Sequence, residues 1–162
     1  MEESIEMKKI IELLETELSA AFEKAGYDKK YARVTVSNRP DLCQYQCNGA
    51  LAAAKEYHKA PIQMAGEVVE LLAESGTFQE IAAQMPGFIN MTVSHTFLAD
   101  YINEMAASES FGCDISAKEE TIVIDYGGAN VAKPLHVGHL RPAVIGESIK
   151  RISRYLGYHV IG

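Results

Sequence analysis

Long hydrophobic runs are missing from this chain. No apolar stretch in its 162 residues reaches the roughly 18–20 residues of a membrane-spanning helix, so no membrane association is expected. Cysteine is scarce. Cys43, Cys47 and Cys113 form an odd set without a disulfide framework, which points to a reducing, cytoplasmic setting. The opening MEESIEMKK is acidic and periodic, unlike a secretory signal or an Arg-rich transit peptide. Positive charge is also in deficit, with 15 Lys and Arg against 22 Asp and Glu for a net of −7, which argues against a generic nucleic-acid binder held by whole-molecule attraction. Internal repeats and low-complexity tracts are absent. The 48% of hydrophobic residues still suffices for a sizeable core in one domain or a small pair.

The charge is unevenly spread. Residues 1–110 hold 9 Lys and Arg against 17 Asp and Glu, a net of −8, whereas residues 111–162 hold 6 against 5, a net of +1. A polyanion would therefore be met by local patches or by base-specific contacts. The spacing of Met7, Ile11, Leu14, Leu18 and Phe22 predicts an amphipathic helix over 4–25, stopped at Gly26. A strand follows at 32–36, then a helix over 46–58; Cys43 and Cys47, at i, i+4 on a possible helix, would be core residues. Pro61 suits the first turn of a helix running to about Ala73. Two strand-like runs, 78–85 and 88–94, flank Pro86-Gly87 as a hairpin turn, and Ser94 is a candidate N-cap for a helix to about Ala107 carrying Phe97, Tyr101 and Met105 on one stripe. Helices alternating with about three strands predict a compact α+β domain.

The polar, glycine-containing stretch 108–120 is the best linker candidate, giving domains at 1–110 and 121–162 joined by 111–120. Beyond it the pattern becomes strand (121–126), turn, helix (about 138–156) and strand (158–161), the opening βαβ of a parallel sheet. Two parallel strands and one helix cannot bury both faces of such a sheet. The expectation is therefore a truncated α/β domain whose polypeptide continues past Gly162.

Within that segment His136 and His139 stand three apart around Gly138, after Lys133-Pro134 and a strand that breaks into Gly127-Gly128. Helix starts attract anions, and crevices beyond the carboxyl ends of parallel strands bind ligands. Pro142 fits only the first turn, which sets the helix start near Gly138–Arg141 and puts both imidazoles beside it. Such a corner suits a phosphate and the charge that develops on it. Other readings stand beside this one. Histidines at i, i+3 also occur as structural or solvated residues, and a zinc site recruiting His159 or a cysteine lacks the usual ligand spacing. A dinucleotide fingerprint fails, because GGANVA is not G-x-G-x-x-G.

The stretch ANVAKPLHVGHLR resembles the signature of class I aminoacyl-tRNA synthetases in its arginyl form, Asn-x-x-Lys-Pro-x-His-x-Gly-His-Leu-Arg, matching at Asn130, Lys133, Pro134, His136, Gly138, His139, Leu140 and Arg141. The continuation IGESIKRISRYLGYHVIG is similar to the same family. Upstream, YQCNGALAAAK (45–55) and PGFIN (86–90) resemble its N-terminal appended domain, which touches the elbow of transfer RNA. The residue after Leu-Arg is usually small and is Pro142 here.

The resemblance implies an α+β appended domain followed by the first βαβ portion of a Rossmann-like α/β catalytic domain. It also implies an enzyme that uses ATP with Mg²⁺ to activate arginine and then charges tRNA(Arg), the parent enzyme being a cytoplasmic monomer with no bound metal. His136 and His139 would be catalytic. ATP would meet His136, Gly138, His139 and Lys133, with Gly138 making room for the adenine. Arginine would meet Asp125, Asn130 and His136, a carboxylate being the planar acceptor that a guanidinium requires. Tyr45, Gln46 and Asn48 would contact the transfer RNA through a ring and amides suited to an unpaired nucleotide. Asp125 also fits a solvated strand end, and the last three also fit ordinary helix-start capping and packing. The 162-residue chain alone is expected to be inactive. The competing readings are a stand-alone, non-catalytic RNA- or protein-binding module of that descent, or a nucleotidyl transferase sharing H-x-G-H.

Overall fold

The computed structural model describes residues 7–108, 110–113, 115, 119–128 and 132–162, which fall into two compact units divided at Ala107/Ser108. In the first unit, α1 (Ile10–Lys24) is followed by a single 3-10 turn (Lys29–Tyr31), β1 (Val34–Val36), β2 (Tyr45–Cys47), α2 (Gly49–Tyr57), α3 (Pro61–Leu72), β3 (Phe78–Gln84), β4 (Phe88–Val93) and α4 (His95–Ala107). The strands form one antiparallel sheet in the order β1-β2-β4-β3.

Alternation along β4 sorts the faces of this sheet. Ile89, Met91 and Val93 are buried, with Phe88, Asn90 and Thr92 only half-buried between them. The register extends that division to the neighbouring strands: Cys47 pairs with Ile89 and Tyr45 with Met91, while Gln46 pairs with Asn90. The buried rows join Leu14, Leu18, Phe22, Met64, Val68 and the small Ala50 and Ala53 in one core. Each fully buried Leu or Phe contributes about 1.5–3 kcal/mol. The small residues let α2 lie close to its neighbours. Gly49 is required there, since a Cβ would stand 1.9 Å from the Tyr31 carbonyl oxygen.

The amphipathic first helix is present but begins at Ile10 rather than near residue 4; residues 4–6 lie outside the described residues. Lys9 is extended, and its N–H donates to the Glu12 carboxylate at 2.8 Å, which satisfies a group that the helix leaves open. Gly26, at φ +85°, ends the helix in the left-handed conformation that glycine tolerates. Pro61 occupies the first turn of α3, and Ser94 caps α4 by accepting the Phe97 N–H at 3.1 Å. Phe97, Tyr101 and Met105 are half-buried, as their stripe predicts.

The helix predicted over 46–58 is corrected. Gln46 and Cys47 lie in β2, hydrogen-bonded between β1 and β4, and the helix begins only at Gly49. Long-range pairing overrides the local pattern here. Gln44 extends it, its N–H donating to the Met91 carbonyl at 3.1 Å and its side-chain oxygen accepting the Val93 N–H at 3.0 Å. Cys43 and Cys47 are buried core residues, though not on a helix. Burial pushes the Cys47 thiol up to about 11.

The second unit contains β5 (Thr121–Val123), α5 (Val137–Tyr155) and β6 (His159–Ile161), with the two strands paired in parallel as the βαβ reading requires. The strand expected over 121–126 is shorter. After Val123 one further bond, Ile124 N–H to the Ile161 carbonyl at 2.9 Å, ends the pairing. Among the described residues of this unit only Gly146 and Val160 are buried.

Candidate functional site

Pro142 lies in the second turn of α5, not the first as expected, because the helix already starts at Val137 with His136 as its N-cap. The two imidazoles themselves permit this early start. His136 Nδ1 accepts the Gly138 N–H at 3.1 Å, and His139 Nδ1 accepts the His136 N–H at 3.1 Å, a reciprocal cap of the kind usually made by Ser and Glu. The rings lie 4.1 Å apart, tilted by 42°. A nitrogen that accepts a hydrogen bond carries no proton, so each neutral ring has its proton on Nε2, on the edge away from the backbone. The helix start therefore offers imidazole donors in place of bare amides. Gly138 is needed for this cap: a Cβ there would meet His136 Cε1 at 2.8 Å and Nδ1 at 3.0 Å.

Gly127, Leu135, His136, Val137, His139, Leu140 and Ala143 line a cavity of about 610 Å³, within the range of small-molecule sites. Its walls are mostly apolar, so the two imidazoles supply its polar groups among the described residues. Asp125 and Lys133 are exposed, and Asn130 lies outside the described residues. Among the described residues no group of three or more His, Cys, Asp or Glu side chains is placed to hold a metal. His159, considered for zinc, instead faces Thr121 Oγ1 at 3.3 Å across the β5–β6 pair.

A second candidate site lies in the first unit, on the sheet face away from the core. Its groove of about 660 Å³ is bounded by residues 37–43 on one side and by Met85 on the other. Gln46 donates through Nε2 to Asn90 Oδ1 at 2.8 Å on its floor, beside Ala82, Thr92 and Phe88. Arg39 stands on the wall, held by Asp41 through Nε to Oδ1 at 2.9 Å and a terminal nitrogen to Oδ2 at 2.8 Å. This pair holds the Asp41 carboxyl below its usual range. Of the three residues expected to contact RNA, only Gln46 is in the groove. Tyr45 alternates to the other face and packs on the core. Asn48 lines a separate hollow of about 200 Å³ with Lys30, Tyr31 and Arg33. Sequence reasoning missed Phe88 and Asn90, which the same alternation that buries Ile89 and Met91 places on the open face.

Two family models cover most of the chain. The arginyl-tRNA synthetase N-terminal domain matches residues 8–93, more than half of the chain, and the class I (R) tRNA synthetase catalytic domain matches residues 102–162. The chain belongs to the arginyl-tRNA synthetase family. An arginine–tRNA ligase of Alkaliphilus oremlandii is 61% identical over 156 residues, covering 94% of this chain and 27% of that relative. One from Agathobacter rectalis is 54% identical over 157 residues, covering 96% of this chain and 26% of that relative. The chain thus spans about a quarter of the length of the curated relatives it matches. Among solved structures, the arginyl-tRNA synthetase of Plasmodium falciparum aligns with a TM-score of 0.60 at 23% identity, over 97% of this chain and 30% of that one. That likeness concerns the fold, and it agrees with an α+β arginyl-tRNA synthetase N-terminal domain followed by the start of a catalytic domain.

Proposed function

We propose that the chain supplies the transfer-RNA-contacting module and the first part of the adenylation site of an arginine–tRNA ligase, which activates arginine with ATP and attaches it to tRNA(Arg). The observation that carries this reading is the reciprocal imidazole cap. With both Nδ1 atoms occupied by backbone N–H groups, His136 and His139 present fixed Nε2–H donors beside a cavity large enough for a nucleotide. In the first step the arginine carboxylate attacks the α-phosphorus of ATP and pyrophosphate leaves with the bonding pair. Negative charge accumulates on the α-phosphoryl oxygens, and donors already in place stabilise it without reorganising. A single such donor accounts for roughly 10²–10³ in rate. Neither histidine has to take up a proton in this step.

Asp125, at the strand exit, would hold the guanidinium, together with Asn130, and Lys133 would approach the phosphates. Mg²⁺ is bound largely through substrate phosphates and water, so it would arrive with ATP. On the open sheet face, Gln46 and Asn90 offer amide edges to an unpaired base, with Phe88 as a stacking surface. The match of residues 102–162 to the catalytic domain disfavours a stand-alone binding module. We further place the domains at 1–110 and 121–162 with 111–120 between them, and the parent enzyme in the cytoplasm as a monomer.

A binding and charging assay with the 162-residue chain tests this reading. The expected result is binding of arginine-accepting transfer RNA, weakened when its elbow is altered, with no ATP-dependent charging. Robust charging by this chain alone would overturn the assignment of only part of the site to it. Equal affinity for intact and elbow-altered RNA would overturn the role of the groove.

A further inference from the structure

We infer that Tyr126 is a positioning residue for the histidine corner: wedged over Gly146 and clamped by Glu147 and Lys150, it ties the turn leaving β5 to the helix that His136 and His139 cap. The inference rests on the reading of that corner as a phosphate site.

Three observations support it. Beyond Ile124 no strand pairing holds the chain among the described residues, and Gly127 and Gly128 have no atom within 4 Å of where a Cβ would be. Tyr126 anchors the turn to α5. Its ring covers Gly146 so closely that a Cβ at that position would stand 2.3 Å from Cγ and 2.5 Å from Cβ of the tyrosine. Its hydroxyl donates to the Glu147 carboxylate and accepts from Lys150 Nζ at 2.9 Å. Lys150 also approaches Glu147 at 3.2 Å and the Gly162 carbonyl at 3.4 Å, while Arg151 Nε donates to the other Glu147 oxygen at 2.9 Å.

The clamp sits at the third turn of α5, whereas the imidazoles sit at its start. A helix is rigid over this length, about 15 Å at 1.5 Å per residue, so fixing the turn to Gly146 also fixes it relative to the corner. Gly127, next to Tyr126, lines the same cavity as both histidines. One part of the cavity lining is therefore held by the clamp and another by the helix cap. A misplaced wall matters because reacting groups tolerate only small displacements, with 1 Å costing up to about 10²-fold.

The test compares Tyr126→Phe, Tyr126→Ala and Gly146→Ala in the 162-residue chain, reading the imidazole NMR signals of all five histidines and the affinity for Mg²⁺–ATP. Tyr126→Ala and Gly146→Ala are expected to shift or broaden the His136 and His139 signals, leave those of His58 and His95 in place, and weaken Mg²⁺–ATP binding. Tyr126→Phe keeps the wedge and loses only the hydroxyl contacts, so a smaller loss of about threefold is expected, within the range of one hydrogen bond. Unchanged imidazole signals in a folded Tyr126→Ala chain would overturn the inference. If either small-residue variant fails to fold, Tyr126→Phe decides: altered corner signals support the clamp and unaltered ones overturn it. If the unsubstituted chain fails to bind Mg²⁺–ATP, the phosphate reading fails, and the imidazole signals still decide the positioning role.

Discussion

Between Lys8 and Ala107, apolar residues from three helices and the sheet close into one core, and Leu14, Leu18, Phe22, Met64 and Ile89 have no exposed surface. Along α5, by contrast, Leu140, Val144, Ile145, Ile149 and Ile152 all remain about half exposed or more, and β5 and β6 leave Val123 and Ile161 open as well. Yet each region has a tyrosine clamped by a glutamate and a lysine. In the first, Tyr27 donates to Glu67 and accepts from Lys59 at 3.0 Å at the edge of a complete core. In the second, the Tyr126 clamp ties the strand exit to the helix. The same three residue types reinforce packing in one place and substitute for it in the other. The stability of the chain therefore resides in the first unit, whereas the imidazole corner sits in the second.

The largest contrast should come from truncating matched aliphatic residues. Leu18→Ala is expected to lower the urea-unfolding free energy by about 2–5 kcal/mol, while Ile152→Ala, on an exposed helix face, should stay within about 0.5 kcal/mol. Equal effects would erase the distinction between the two regions. Next, glycine substitution should change sign with its surroundings. Gly49→Ala forces a Cβ against the Tyr31 carbonyl and should destabilise by about 1–3 kcal/mol, whereas Gly66→Ala in α3 meets nothing within 4 Å and should stabilise by up to about 1 kcal/mol in the same melts.

On the open face of the first unit, Asn90→Ala should cost roughly tenfold in affinity for arginine-accepting transfer RNA, within the range for a base-reading contact, and change thermal stability little. A large loss of stability with no loss of affinity would reassign Asn90 to the fold. The smallest effect is acid sensitivity in the second unit. The Tyr126 hydroxyl, with Arg151 and Lys150 beside it, holds the Glu147 carboxyl at about 2. A carboxyl lowered in the folded state stabilises fully above its unfolded pKa of about 4.3, and that contribution is lost as pH falls towards 2. Signals of α5 should therefore loosen over this window, and Glu147→Gln should flatten the pH dependence. Salt should weaken the same contribution, because the group is accessible to solvent.

Much of this architecture was legible in the sequence because it is written locally. Pro61 and Ser94 mark helix starts, Pro86-Gly87 marks a hairpin, and the change of pattern at residue 121 marks a βαβ unit. β2 was not legible, since Tyr45–Cys47 becomes a strand through pairing with β1 and β4 and the following Gly-Ala-rich run reads as helix. The histidine corner was legible as a motif, and its helix start to within a residue, but the reciprocal cap was not: placing Pro142 in the first turn missed the two imidazoles that cap the helix ahead of it. Gln46 was singled out without Asn90, its partner 44 residues away, because the open face exists only once the strands are in register. The Tyr126 clamp likewise joins residues about 20 positions apart, which no local pattern records.

The most direct test of the imidazole corner is ¹⁵N NMR of the His136 and His139 rings, recorded with and without Mg²⁺–ATP. The structure predicts Nδ1 in the unprotonated, accepting state and Nε2 protonated in both rings, with ATP perturbing the Nε2 signals while the Nδ1 signals stay in place. Protonated Nδ1 atoms in the free chain, or Nε2 signals indifferent to saturating ATP, would contradict the account.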